Sequence, residues 1–348
     1  MISRALVNRG EQELESRKIL SATVLAASLF SIGAARAEPL TIKVGWVLMT
    51  SSSVPLSLEK KELLHHDGQS YIIDAVNIRA SSAMVTALAT GDLDVGPLAF
   101  SSLPLAIQNA KLDDLRIISD VSQNRAQDSF TTHFMVLKDG PIKTIEDMRG
   151  HVGASLAAGS AVDISMRAML RRHGIDDRKD VTIIEAAFPH MKAMLLEKKA
   201  DLVTVIPPYT EDPELKQQSV TLFTQRDAMG PIQLIVWVAR APYIAAHRAA
   251  LVDFMEDSLR VTRYFTDPRH HGEVIDLAAK GLKQPKDQID MLWTANDSYR
   301  DPNGMPDLVA LQHNIDTQHA IGLIEQSIKI ADYADLSIVM EAAARLGN

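Results

Sequence analysis

The sequence predicts an α/β protein of two lobes with a helical C-terminal tail. Between residues 40 and 240, runs rich in β-branched residues alternate with stretches of helical spacing. The alternation occurs twice as β-α-β-α-β, joined by "THFMVLKDG" (132–140) and closed by the long apolar run "IQLIVWVAR" (232–240). From Pro242 onward the pattern is almost wholly helical. Strands that alternate with helices imply crossover connections and a mostly parallel sheet. No fixed short repeat is visible, which excludes a solenoid.

Each element has its own signal. "LTIKVGWVLM" (40–49) and "YIIDAVNI" (71–78) read as strands around a short helix at 56–64. Met84, Val85, Leu88 and Ala89 give the next segment the spacing of a packed helix, and Gly91 ends it. "LDVGPLAF", "SLPLAIQNAK" and "LRIISDV" then follow as strand, helix and strand. In the second unit "HVGASL" (151–156), "VTIIEA" (181–186) and "ADLVTVIPP" (200–208) read as strands. The helices there are a short one in "TIEDMRG" (144–150), then "AAGSAVDISMRAMLRRHG" (157–174) and "HMKAMLLEKKA" (190–200). The lobes predicted are 38–134 plus 233–348 with the helical tail, and 135–232.

The chain has 348 residues, 46% hydrophobic and 23% charged, enough for two domain-sized cores. Arg17-Lys18, the apolar run Ile19–Ile32 and the small residues Ala35 and Ala37 form a secretory signal-peptide pattern over 1–37. Cleavage is expected after Ala37, giving a periplasmic mature chain that begins near Glu38. The sequence contains no cysteine, so an exported chain of this kind relies on core burial and not on disulfides. Loss of five basic and three acidic residues with 1–37 takes the net charge from −8 to about −10. That balance disfavours nucleic acid and anionic lipid as partners.

The stretch "SSAMVTALATGDLDVGPLAF" and the order of elements resemble the periplasmic substrate-binding proteins of nitrate, sulfonate and taurine ABC importers. Further similarity lies in "IKTIEDMRGHVGAS", in "AAGSAVDISMRAMLRRHGID" and in "MLLEKKADLVTVIPPY". The resemblance implies a two-lobed periplasmic-binding-protein fold, type II-like, which hinges shut on a small organic anion such as a sulfonate, a taurine-like solute or an aromatic carboxylate. It also implies a permease partner, a monomer, no cofactor and no bound metal.

The same resemblance places ligand contacts on loops after the lobe strands: Thr50 and Ser51, Ser81 and Ser82, Phe100 to Ser102, Thr132 and His133, Gly159 and Ser160, and Tyr209. Ser81-Ser82 and Gly159-Ser160 each open a helix, where unpaired N–H groups and the helix dipole favour an anion. The plain alternative is that each Ser caps its own helix, a role worth about 1 kcal/mol. Arg79, near a strand mouth, is suited to clamp a carboxylate or sulfonate through two hydrogen bonds, or is a solvated strand end. His133 has a structural reading beside the binding one, and Trp46 reads as core.

Signals for catalysis are thin. "GASLA" (153–157) lacks the final glycine of a nucleophile elbow. The pairs His65-His66 and His270-His271 lack the spacing of a helical zinc site, and "EDPE" (211–214) reads as a solvated turn. The chain is therefore read as a non-enzyme. The alternatives are an enzyme on the same fold, related to thiamine-pyrimidine synthesis or a decarboxylase, and a sensory binding protein without a permease.

Overall fold

In the computed structural model, β1 (Leu40–Trp46) lies inside the first sheet, and its residues alternate between a buried and a solvated face. Ile42 and Val44 are fully buried while Thr41 and Lys43 face solvent. The structure describes residues 38–347 apart from 48, 50–52, 79, 125–131 and 296, so the signal segment expected at 1–37 lies outside the described residues. After β1 come α1 (Val54–Glu59), β2 (Tyr71–Asn77), α2 (Ser81–Thr90), β3 (Val95–Ala99), α3 (Ser102–Gln108) and β4 (Leu115–Asn124). The second sheet is built from β5 (His133–Leu137), β6 (Val152–Ser155), α4 (Ala161–Arg172), β7 (Thr182–Glu185), α5 (Met191–Leu196), β8 (Leu202–Val205), α6 (Pro213–Gln218) and β9 (Ser219–Thr224). The chain returns through α7 (Gln225–Met229) and β10 (Ile232–Arg240). The tail is helical: α8 (Ala241–Thr266), α9 (His271–Leu282), α10 (Lys286–Ile289), α11 (Leu308–Ala320) and α12 (Ser337–Leu346).

The two five-stranded sheets have equivalent orders, β2-β1-β3-β10-β4 and β7-β6-β8-β5-β9. Pairing corrects one expectation. β1 pairs parallel with β2 and β3, but β10 runs antiparallel to both β3 and β4. β5 likewise runs antiparallel to β8 and β9, so each sheet is mixed. The reversed strand is in each case the one that arrives from the other sheet. β9, on the sheet edge, is a strand the sequence pattern did not reveal. His133 and Phe134 already pair in the second sheet, two residues before the boundary expected at 135.

Both sheets use one packing device. Met84 of α2 lies over Gly45 and Gly96, and a Cβ at Gly96 would stand 2.9 Å from its sulfur. Met166 of α4 lies over Gly153 at the same 2.9 Å. Each glycine lets a helix press its thioether onto a central strand, where a side chain would hold it off. The largest apolar cluster then runs through both lobes, from Leu98 and Phe100 to Phe134 and Leu202.

The return into β10 is held from the tail. Asn314, fully buried on α11, accepts from the Gln233 N–H at 3.2 Å and donates to the carbonyls of Met229 (3.2 Å) and Pro231 (2.8 Å). Asn314→Ala would strand three buried backbone groups and is expected to cost about 2–4 kcal/mol. Urea denaturation of the variant checks this, and a loss below about 1 kcal/mol would show that the clamp is dispensable.

Candidate functional site

The carboxyl ends of β1, β3, β4, β6 and β8 converge on a cavity of about 150 Å³ between the two sheets. Its walls are mostly apolar. Val47, Pro97, Ala99, Leu234 and Ile235 come from the first sheet, and Leu156, Phe188, Ile206 and Pro207 from the second. The tail closes one side with Leu292, Asp297, Ser298 and Arg300.

Polar groups in the wall are few and mostly committed. The Thr132 hydroxyl donates to Gln225 Oε1 at 3.1 Å, and Gln225 Nε2 donates to the Ala161 carbonyl and Ser165 Oγ. Ser160 caps α4, its Oγ accepting from the Asp163 N–H at 3.4 Å. Asp163 in turn accepts from the Gly159 N–H at 2.8 Å and pairs with Arg167 at 3.0 Å, so a carboxylate of the chain itself occupies the helix start. Arg300 pairs with Asp297 at 3.2 Å and donates to the Ser298 carbonyl at 2.8 Å, both charged side chains being nine-tenths buried. Ser122 differs: its Oγ is buried in the wall with no hydrogen-bond partner among the described residues.

Of the residues expected from sequence, Thr132 and Ser160 line the cavity. Ser101 and Ser102 do not; fully buried, they donate across the lobes to the Gly159 carbonyl at 3.0 and 3.3 Å. Ser82 faces Gly159 in the same junction, and Ser81 is the first residue of α2, whose cap is Ala80. Phe100 is fully buried in the core cluster that the lobes share. His133 sits on β5 with Nδ1 2.8 Å from Thr221 Oγ1, and burial lowers its pKa. Tyr209 packs on the core, where burial raises its hydroxyl pKa. Thr50, Ser51 and Arg79 lie outside the described residues.

Ser122, Asn124, Phe188, Asp297 and Arg300 were missed. A signal existed for the first two: "SDVSQN" ends an otherwise apolar strand with polar residues at alternate positions 120, 122 and 124, which share one face. The turn-rich "TANDSYRDP" (294–302) lacks periodicity and gave none. Away from the cavity, His66, Asp253 and Glu256 bring metal-type ligand atoms together. Arg345 already pairs with Asp253 and Arg260 with Glu256, each at 2.7 Å.

This arrangement, two mixed sheets with a reversed interior strand in each and a cavity at their strand ends, is that of a periplasmic-binding-protein fold. The chain belongs to the NMT1-like family, which matches residues 35–279. It shares its fold with the alkanesulfonate-binding protein SsuA from Xanthomonas axonopodis pv. citri bound to MOPS. There the TM-score is 0.66 at 16% identity, covering 86% of this chain and 99% of that one. The periplasmic nitrate-binding protein NrtA from Synechocystis PCC 6803 gives 0.67 at 13% identity, covering 89% of each chain. The periplasmic aliphatic sulphonate binding protein SsuA from Escherichia coli gives 0.61 at 18%, covering 86% and 99%. No curated protein sequence matches this chain.

Beside Arg300 in a smaller adjoining cavity lies Asp120, whose carboxyl burial pushes up to about 6 from 3.8. A carboxyl with a raised folded-state pKa contributes its stability fully below the unfolded value and loses it as pH rises through the folded one. Asp120→Asn cannot ionise, so its stability relative to the parent is expected to rise by about 2–3 kcal/mol between pH 4 and 6 and then level off. Urea melts across that range read this out; a constant difference would contradict the assignment.

Proposed function

We propose that the chain is the solute-binding component of an ABC importer, exported to the periplasm, where it closes its lobes on a small organic solute. The single observation that carries this reading is the cavity itself, walled by both sheets at their strand ends. Contacts from both lobes favour the closed arrangement only when solute fills the space between them. The fold neighbours SsuA and NrtA, named for sulfonate and nitrate binding, support the same class of activity. The described lining contains no cysteine, histidine or lysine, and its one acid is engaged by Arg300, which supports capture over turnover. The walls also ask for more hydrocarbon than an inorganic anion offers. Delivery as a monomer to a permease completes the proposal.

The reading predicts one solute per chain, recovered chemically unchanged. Mass spectrometry of what co-purifies, followed by calorimetric titration of the emptied protein, tests it. Phe188→Ala removes the aromatic wall and is expected to lower affinity about tenfold or more. A solute consumed on incubation would overturn the receptor reading.

Ser101→Ala with Ser102→Ala removes the two donors to the Gly159 carbonyl. The double variant is expected to lose about 1–2 kcal/mol of inter-lobe attraction, and with it about tenfold in apparent affinity. A larger radius of gyration than the parent in small-angle scattering without solute would accompany this. Unchanged scattering and affinity would show that these two hydrogen bonds do not hold the lobes together.

A further inference from the structure

We infer that His66, Asp253 and Glu256 form a site for a divalent cation of the zinc class, which pins the loop leading into β2 to the tail helix α8. The spacing of His65-His66 gave no sign of it, because the partners of His66 come from another element. Asp253 and Glu256 stand at i, i+3 on α8, which puts them on one face, and His66 lies against that face. The three ligand atoms are within 4.8 Å of one another. His66 Nε2 is 3.3 Å from Glu256 Oε2, and Nδ1 of the same ring is 3.9 Å from Asp253 Oδ2. Even so, Nε2 is buried with no hydrogen-bond partner among the described residues. Ligand atoms around a tetrahedral cation, at bonds of about 2.0–2.1 Å, stand about 3.3–3.4 Å apart and point at the ion, not at each other. The His66–Glu256 contact has that separation and lacks the alignment of a hydrogen bond.

The surroundings hold these ligands in position. Asp257, fully buried, accepts from the N–H groups of His65 at 3.0 Å and His66 at 2.8 Å, fixing the loop over α8. Each ligating carboxylate divides its two oxygens. Asp253 Oδ1 pairs with Arg345 and Glu256 Oε1 with Arg260, both at 2.7 Å, while Oδ2 and Oε2 turn toward the ring of His66. Arg345 also comes within 3.9 Å of Glu256 Oε2, farther off than the ring nitrogen. Carboxylates that ligate a metal are themselves hydrogen-bonded in this manner. Arg345 pairs with Glu341 as well, and Arg260 with Asp257, so further carboxylates offset both guanidinium charges. The His66, Asp253 and Glu256 side chains keep 29%, 18% and 12% of their exposure, which leaves an ion a way in. One imidazole with two carboxylates suits Zn²⁺, whereas Ca²⁺ takes about six to eight oxygens. Three protein ligands leave a fourth position for water. This site revises the expectation of no bound metal and is independent of the solute cavity.

The untagged chain, stripped with a chelator, is titrated with ZnCl₂ and in parallel with CaCl₂, and followed by calorimetry and thermal melting. One Zn²⁺ per chain is expected to bind, to raise the melting midpoint, and to bind at least about tenfold more tightly than Ca²⁺. X-ray absorption of the zinc-loaded parent, which needs no variant, should show a single imidazole among oxygen ligands. His66→Ala and Asp253→Asn should each weaken Zn²⁺ at least about tenfold while keeping the circular dichroism of the parent. His271→Ala, which removes the ring paired with Asp290, should leave the affinity unchanged. The site is overturned if the parent binds no Zn²⁺, if Ca²⁺ binds as tightly, if the absorption spectrum lacks imidazole, or if His66→Ala keeps the parent affinity. Each of those results leaves the receptor reading standing.

Discussion

The Gln233 side chain ties three parts of the molecule together in the interior. Fully buried on the reversed strand β10, its Nε2 donates to Asp120 Oδ1 at 2.7 Å, to the Ser122 carbonyl at 3.1 Å and to the Ile235 carbonyl at 3.0 Å. Its Oε1 accepts from the Asp307 N–H at 2.6 Å, and its own N–H donates to Asn314. One amide thus fixes β4 to β10 and both to the tail. The register of this strand pair shifts at Gln233 and Ile235, and those irregularities turn Leu234, Ile235 and Ser122 together into the cavity wall. With its Nε2 and Oε1 both engaged, Gln233 bridges the strands where their regular ladder is interrupted.

Several buried charges among the described residues are balanced locally. Arg167 and Arg171 both reach Asp177, and the buried Asp257 accepts from the N–H groups of His65 and His66, from the Tyr71 hydroxyl and from Arg260.

Local pattern was enough for most of the scaffold. β10 is bounded where its apolar run is bounded, and α2 stops at Gly91, which takes a left-handed φ of 78°. Strand direction was not legible, because pairing sense depends on where the chain has come from and not on the residues of the strand. β9 hid for a different reason: on the edge of its sheet, with Val220 exposed, it buries little besides Ser219 and Phe223. At the site, helix-start logic offered Gly159-Ser160 as a place suited to negative charge, yet a single sequence does not reveal that Asp163 folds back to accept from the Gly159 N–H. The serine pair at 101–102 was visible as polar punctuation, but its partner, a carbonyl 57 or 58 residues away, was not.

The chain passes between the two sheets twice, after β4 and before β10, and both reversed strands are interior. The tail adds a third point of attachment, where Arg171 of the second lobe holds the carbonyls of Ile321 and Gly322 at 3.0 and 2.7 Å. Those two hydrogen bonds tie the tail to the second lobe at a place that lies on neither passage of the chain between the sheets.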